Sequence, residues 1–303
     1  MYDILIIGAG PAGMTAALYA KRAGKNVAVL ERELPGGQIV NSPLVENYPA
    51  LPNVSGADFA INLQKQLSDL EVPFLYKEVA RLAKDEEGFI VNDDDSLRAA
   101  AVILATGVHH RGLDLPQEAE LIGAGISFCA VCDGAFYRGR DAIVVGGGDT
   151  ALQDAVYLSA LCRKVYVVHR RDAFRAAQTL VEKTRSRENI ELVTPYVPLR
   201  YLTEDGVICG LEVENKNDAS KRIINADGIF LAVGQSPENA FAADLAALTP
   251  AGYLLAGEDC RTNISGLFAA GDCREKAVRQ LTTAVGDGAT AATLACEYVD
   301  ACG

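Results

Sequence analysis

Cys129-Ala130-Val131-Cys132-Asp133-Gly134 is where the residue types of this chain could most directly do chemistry. Two cysteines separated by two residues and followed at once by an acid suit reversible dithiol/disulfide exchange. The short spacing lets the pair close a bridge, and each thiol eases the reaction of the other. The same spacing also builds half of a zinc site, or two unreactive buried thiols. Position favours the redox reading, because the motif lies between two nucleotide-binding fingerprints. A dithiol so flanked reads as a wire, with hydride entering at one end and thiols leaving at the other.

The first fingerprint is Gly8-Ala9-Gly10-Pro11-Ala12-Gly13, preceded by the β-branched run Ile4 to Ile7 and followed by a helical stretch, Met14 to Ala23. In strand–GxGxxG–helix, the first glycine permits the tight turn and the second lets backbone approach a pyrophosphate. The third lets helix pack on strand, with the helix N-terminus toward the anion. A second strand, Asn26 to Leu30, ends in Glu31, well placed for a ribose 2′-hydroxyl. Gly36-Gly37-Gln38 and Val45-Glu46-Asn47-Tyr48-Pro49 lie in a loop-rich connection that could equally be a structural turn cluster. Ser55 to Leu70 reads as an amphipathic helix opened by a polar cap, and Val72 to Ala101 as an antiparallel meander. Val102 to Ala105 is a buried strand running into Thr106-Gly107.

The plan then repeats. Ala142 to Val145 leads into Gly146-Gly147-Gly148-Asp149-Thr150-Ala151, a GxGxxA turn, then a helix to about Leu161 and a strand, Lys164 to Val168. A further meander leads to Gly228–Gly234. Gly8 to Gly107 spans 99 residues (107 − 8) and Gly146 to Gly234 spans 88 (234 − 146), so the nucleotide-binding fold is duplicated. The copies differ where the difference is informative. Glu31 lies 23 residues after Gly8 (31 − 8), and the residue 23 after Gly146 is His169 (169 − 146), followed by Arg170, Arg171 and, one turn on, Arg175. An acid reads a free 2′-hydroxyl, whereas a guanidinium offers a bidentate fork to a 2′-phosphate. The first site therefore expects a dinucleotide with a free ribose and the second expects NADP(H). Past Gly234, a strand ending in Gly271-Asp272 can aim a carboxylate at a bound polyol. Arg279-Gln280 and a helix from Leu281 to Glu297 close the fold; Gly286 and Gly288 there serve close packing or the approach of a cofactor ring.

Composition sets the bounds. A length of 303 residues, half of them hydrophobic, points to two domains, and the formal net charge is −12. It argues against nucleic acid, which needs a basic face. Eight cysteines are too few for a disulfide scaffold in a chain of this length, and no second CxxC or His-x-His completes a metal site, so no metal is expected. A reducing cytoplasm is the natural setting. The apolar stretch Ile4 to Ala20 has no basic flank, carries Asp3 before it and is broken by glycines, so neither a targeting segment nor a membrane span is expected.

Together these motifs resemble the low-molecular-weight thioredoxin reductases along almost the whole chain: GxGPAG, GGQ, VENYP, ATG, CxxCDG, GGGDTA, VHRRDxxRA, TxxxGLFAAGD and RQLTTAxGDGxxA. The resemblance implies an α/β fold of two Rossmann-like, three-layer ββα nucleotide-binding domains, with an NADPH domain (114–239) inserted into an FAD domain (1–113 and 240–303). It implies a homodimer whose domains rotate so that dithiol and nicotinamide take turns at the flavin. Cys132 would face the flavin, Cys129 would attack the disulfide of a thioredoxin-like redoxin, and Asp133 would be the general acid/base. Gly8, Gly10, Pro11, Ala12, Gly13, Glu31, Gly37, Gln38, Asn47, Thr106, Gly107, Gly271, Asp272, Arg279 and Gln280 would bind FAD. Gly146, Gly148, Asp149, Thr150, His169, Arg170, Arg171 and Arg175 would bind NADPH.

The chain departs from that pattern in four places. After CDG many relatives have two aromatics before the tyrosine, near where thioredoxin is expected to dock, and here the first is Ala135. His109-His110 in the first hinge reads as a plain solvated loop or a titrating contact, the former favoured. Cys273 reads as a small buried residue, and Ala301-Cys302-Gly303 is not expected to be a redox tail. Rival readings are a dithiol oxidase or a ferredoxin-fed reductase, both of which tend to lack the arginine cluster, and a non-catalytic flavin redox sensor.

Overall fold

The structure, a computed structural model, describes residues 1–51 and 53–302. Its elements run in the order β1 (Tyr2–Ile7), α1 (Pro11–Arg22), β2 (Val27–Glu31), α2 (Gly56–Asp69), β3 (Phe74–Tyr76), β4 (Leu82–Asp85), β5 (Gly88–Val91), β6 (Asp94–Leu104), β7 (Val108–His110), α3 (Glu118–Leu121), β8 (Ile126–Ser127) and α4 (Ala130–Asp133). They continue through β9 (Asp141–Gly146), α5 (Asp149–Ser159), β10 (Lys164–Val168), α6 (Gln178–Arg185), β11 (Ile190–Val193), β12 (Tyr196–Glu204), β13 (Val207–Asn215), β14 (Lys221–Asn225) and β15 (Gly228–Ala232). The last are β16 (Gln235–Pro237), β17 (Leu267–Ala269) and α7 (Leu281–Cys302). Two compact units result, 1–109 with 236–303 and, inserted between them in sequence, 110–235.

In the first unit β3, β2, β1 and β6 are parallel neighbours, β17 joins β6 in parallel, and β5 and β4 continue the sheet antiparallel. β1 alternates between two cores. Ile4 and Ile6 pack with α1, α2 and α7 residues such as Met14, Leu67 and Ala292. Leu5 and Ile7 pack with Leu82, Phe89 and Leu254 on the other face. A strand buried on both faces needs the unbroken apolar run seen in the sequence. The second unit repeats the arrangement with a parallel sheet in the order β11-β10-β9-β15-β8. Ala142 and Val144 face the helical side with Leu152 and Leu158. Ile143 and Val145 face the antiparallel β12–β13–β14 sheet through Ile208, Leu211 and Val213. Each unit is thus three layers, ββα.

Several expectations are refined. The meander expected over 72–101 is different, because β3 adds in parallel to β2 and one strand, β6, serves as both the last meander strand and the buried parallel strand. The unit crossings fall after His109 and Gln235, four residues ahead of the expected 113/114 and 239/240. The reason is visible in Asn239, which is buried in the first unit and hydrogen-bonded to Thr106 Oγ1 at 2.8 Å and to the Cys273 carbonyl at 3.0 Å. The helix expected over Ser55–Leu70 forms as α2, capped by Ser55 Oγ, which accepts from the Asp58 amide at 3.0 Å. α7 runs past Glu297 to Cys302, so Ala301 and Cys302 are helical; Gly303 lies outside the described residues.

Candidate functional site

The dithiol is built on a strand end. β8 pairs in parallel with β15 and delivers Ser127, which is buried, to the start of α4. Cys129 caps α4, and the Cys132 amide donates to Cys129 Sγ at 3.2 Å. The two sulfurs are bonded at 2.08 Å, and both residues are half-exposed. Ser127 Oγ donates to Asp133 Oδ2 at 2.6 Å and accepts from the Cys129 amide at 3.0 Å. Asp133 Oδ1 is buried with no hydrogen-bond partner among the described residues. Burial pushes the Asp133 carboxyl up, with the Ser127 hydrogen bond opposing. A disulfide, a desolvated acid and a hydroxyl linking them form a unit for moving a proton alongside two electrons. Sequence reasoning missed Ser127; its signal was one small polar residue between Ile126 and Phe128.

The residues expected around the first nucleotide converge at the C-terminal ends of parallel strands, where open α/β sheets bind ligands. Gly8 follows β1 with φ +106°, and a Cβ there would lie 2.4 Å from the Ala105 carbonyl oxygen; a Cβ on Gly13 would lie 1.9 Å from that of Gly8. Gly10, Pro11 and Ala12 open α1, whose N-terminus has no side-chain cap, and the space beside Gly10 is open. Glu31 ends β2 with both carboxylate oxygens anchored, Oε2 to the Ala9 amide at 2.7 Å and Oε1 to the Glu33 amide at 2.9 Å. Gly37 approaches Gly10, Gln38 Nε2 donates to the Val108 carbonyl, and Asn47 Nδ2 donates to Gln280 Oε1 at 3.2 Å. Thr106-Gly107 follows β6, and Gly271-Asp272 follows β17. Asp272 Oδ1 is buried without a hydrogen-bond partner among the described residues, and burial pushes that carboxyl up, Lys276 and Arg279 opposing. The Arg279 guanidinium donates to the carbonyls of Asp272, Lys276 and Arg274 and stacks over Tyr253 at 4.3 Å, and so laces the loop together.

The second cradle is built alike. Gly146 ends β9 with its Cβ position 2.4 Å from the Ala232 carbonyl oxygen, and Gly148 caps α5 beside open space. Asp149 Oδ1 accepts from the Ala177 amide at 2.8 Å, and the Arg175 amide donates to the Gly147 carbonyl at 2.8 Å. These two bonds tie the arginine loop to the glycine turn. Arg170, Arg171, Arg175 and Thr150 are exposed, and among the described residues the three arginines face no carboxylate within ion-pair distance. His169 departs from the others. It is buried, its ring lies where a Cβ on Gly147 would go, and it stacks on Phe174 at 5.3 Å. Burial pushes its pKa down, the Ala173 backbone hydrogen bond opposing and the arginines adding to the fall. His169 is therefore a neutral wedge under the turn rather than part of the cationic run.

A family model described as pyridine nucleotide-disulphide oxidoreductase matches residues 2–288. The thioredoxin reductase of Listeria monocytogenes is 39% identical over 301 residues, covering 99% of this chain and 94% of that protein. The chain belongs to the pyridine nucleotide-disulphide oxidoreductases, in their thioredoxin reductase branch. The thioredoxin reductase of Bacillus subtilis is 36% identical over 99% of this chain and 95% of its own length. The crystal structure of thioredoxin reductase from Streptococcus pyogenes superposes with a TM-score of 0.95 at 39% identity, covering 99% of both chains.

His109 is not a plain solvated loop: its Nε2 lies 3.0 Å from Arg32 Nη2 and 3.3 Å from Glu238 Oε1. His110 stacks on Phe128 at 4.6 Å. Cys273 is fully buried, as expected for a small packing residue. Among the described residues no helix is long and apolar enough to cross a membrane.

Proposed function

We propose that this chain is an NADPH-dependent thioredoxin-disulfide reductase, carrying FAD in the unit 1–109/236–303 and taking NADPH in the unit 110–235. The observation that carries the reading is the Cys129–Cys132 disulfide joined through Ser127 to a desolvated Asp133, in the same unit as an arginine-lined GxGxxA turn. FAD fits the first cradle: the space beside Gly10 and Gly107 is open, α1 starts uncapped, and Asp272 Oδ1 is a buried acceptor in want of a donor. Glu31 would hold a ribose hydroxyl there. When bound, FAD supplies a two-electron relay between the nicotinamide and the disulfide.

The rest is work for the chain's own residues. Arg170, Arg171 and Arg175 offer three free guanidiniums to a 2′-phosphate. Once reduced, Cys129 attacks the disulfide of the redoxin, one partner sulfur leaves as thiolate, and Cys132 resolves the mixed disulfide so that Cys129–Cys132 re-forms. The amide that donates to Cys129 Sγ favours its thiolate. Asp133, protonated more readily than an exposed acid, holds the proton that a leaving thiolate takes up. The balance is NADPH, a proton and oxidised thioredoxin giving NADP+ and reduced thioredoxin.

The partner is thioredoxin or a thioredoxin-like redoxin, and the working form is a cytoplasmic homodimer. Six further cysteines left as thiols favour a reducing compartment. Exposed Tyr19 and Ile61 on the helical layer, with a shallow groove along α7 lined by Ala289, Thr290, Thr293 and Leu294, favour a second copy there. A dithiol oxidase or ferredoxin-fed reductase would leave the arginines without a purpose. The test is an anaerobic titration of the yellow protein with NADPH and, separately, NADH, followed by oxidised thioredoxin. Bleaching by NADPH at far lower concentration than NADH, reversed by thioredoxin, is expected. Bleaching by neither removes the NADPH assignment, and bleaching without recovery removes the redoxin.

A further inference from the structure

Beneath the Gly271-Asp272 turn lies a charge cluster centred on Asp287, the acid of the Gly286-Asp287-Gly288 run and a residue with no role assigned from sequence. Arg274 is 1% exposed, and its guanidinium grips Asp287 of α7 with two bonds, Nε to Oδ2 at 2.9 Å and Nη2 to Oδ1 at 3.0 Å. Lys276 Nζ, itself almost fully buried, donates to the same Oδ2 at 2.8 Å. A third donor completes it: the Gly271 amide reaches Asp287 Oδ2 at 2.9 Å. Asp287 thus receives four hydrogen bonds from residues 271, 274 and 276, and these flank Asp272. Burial alone would push the Asp287 carboxyl up, but Arg274 and Lys276 outweigh it and hold it below the ordinary range. Glu258, on the surface, adds a weaker contact to Arg274 at 3.5 Å.

Charges this deep are costly to desolvate and give little net stability compared with an apolar core. What they give here is geometry. Gly271 sits at φ +81° with its Cβ position 2.8 Å from Ala12 of α1, so the turn has little freedom once its amide is held. Asp272 Oδ1, one residue on, is left buried with no hydrogen-bond partner among the described residues. We propose that Asp287 is a positioning residue for the flavin nucleotide, holding the 271–276 turn so that Asp272 presents its free carboxylate oxygen to FAD. This rests on the assignment of FAD to the first unit.

The test follows FAD release from the purified holoprotein, by the rise in flavin fluorescence on dilution, for wild type, D287N, D272N and the double variant. D287N is expected to release FAD roughly ten- to a hundredfold faster, the worth of one charge-assisted hydrogen bond. The double variant should release it no faster than D272N alone, because Asp287 acts through Asp272. Equal release by D287N and wild type overturns the proposal, and so do independent, multiplying effects in the double variant, which mark a merely structural role. If D287N does not fold, K276M is measured instead; faster release supports the proposal and unchanged release overturns it. Wild-type protein that carries no FAD at all would instead remove the underlying assignment.

Discussion

At the residue scale, function concentrates in carboxyls that burial has changed. Asp133 combines a raised pKa with a hydrogen bond from Ser127, which also accepts from the Cys129 amide. Asn at 133 keeps the bond from Ser127 but carries no titratable proton. We expect D133N to slow thioredoxin reduction by about a hundredfold or more while NADPH still binds with unchanged affinity, as checked by steady-state kinetics beside NADPH titration. Asp154 on α5 is pushed up to about 7 by burial, from an ordinary 3.8. Between those values the folded chain holds a proton that the unfolded chain releases. Asp154 therefore favours the fold fully below pH 3.8, and that contribution is lost as pH rises toward about 7. D154N should flatten this dependence and raise stability at pH 8 by about 2 kcal/mol. Urea unfolding followed by circular dichroism at pH 5 and pH 8 checks it, and an equal slope in both proteins rules it out.

At the element scale, glycines of a single motif divide into two kinds. Gly13 has its Cβ position 1.9 Å from the Gly8 carbonyl oxygen, whereas Gly10, in ordinary extended backbone, faces open space. Alanine at 13 must push α1 away from β1, and we expect a loss of about 2–4 kcal/mol of stability, as for other overpacked or strained core sites. Alanine at 10 should leave thermal stability of the flavin-free protein within about 0.5 kcal/mol but reduce FAD content on purification, because it fills the open space at the start of α1 where the proposed FAD would place its pyrophosphate. Melting curves beside the ratio of flavin to protein absorbance separate the two. The same logic sets apart the wedge residue His169, which supports the turn at Gly147, from Arg170 and Arg171, which remain free at the surface.

At the scale of the whole molecule, two units with their own paired cores invite independent response to ligand. NADP+ at a hundred times its Kd should stabilise what it binds by about 2.7 kcal/mol. We expect the added hydrogen-exchange protection to fall within 110–235, and to vanish from that segment in a variant lacking Arg170 and Arg171. Protection of 1–109 instead would reverse the assignment of nucleotides to units. The net charge of −12 keeps the surface repulsive to an acidic redoxin, so approach depends on local features near the dithiol. Val131, between the two cysteines, and Ala135, Phe136, Arg138 and Arg140, just after them in the chain, are exposed.

The sequence by itself determined what short spacing encodes. Glycine turns, the strands before them, the Glu31 and arginine contrast and the CxxC pair are all legible within about thirty residues, since each is a local backbone requirement or one motif. The duplication was legible because those motifs recur. Tertiary structure alone decided which polar side chains meet. Asn239 reaches Thr106 across 133 positions, and Asp287 of α7 lies under the turn after β17. His169 turns inward although three arginines nearby face out, and β3 joins β2 in parallel where alternation read as a meander. The physical reason is one of range. Periodicity and turn chemistry act through neighbours along the chain. The partner of a buried charge is set by which elements the hydrophobic cores bring together, and no local pattern records that.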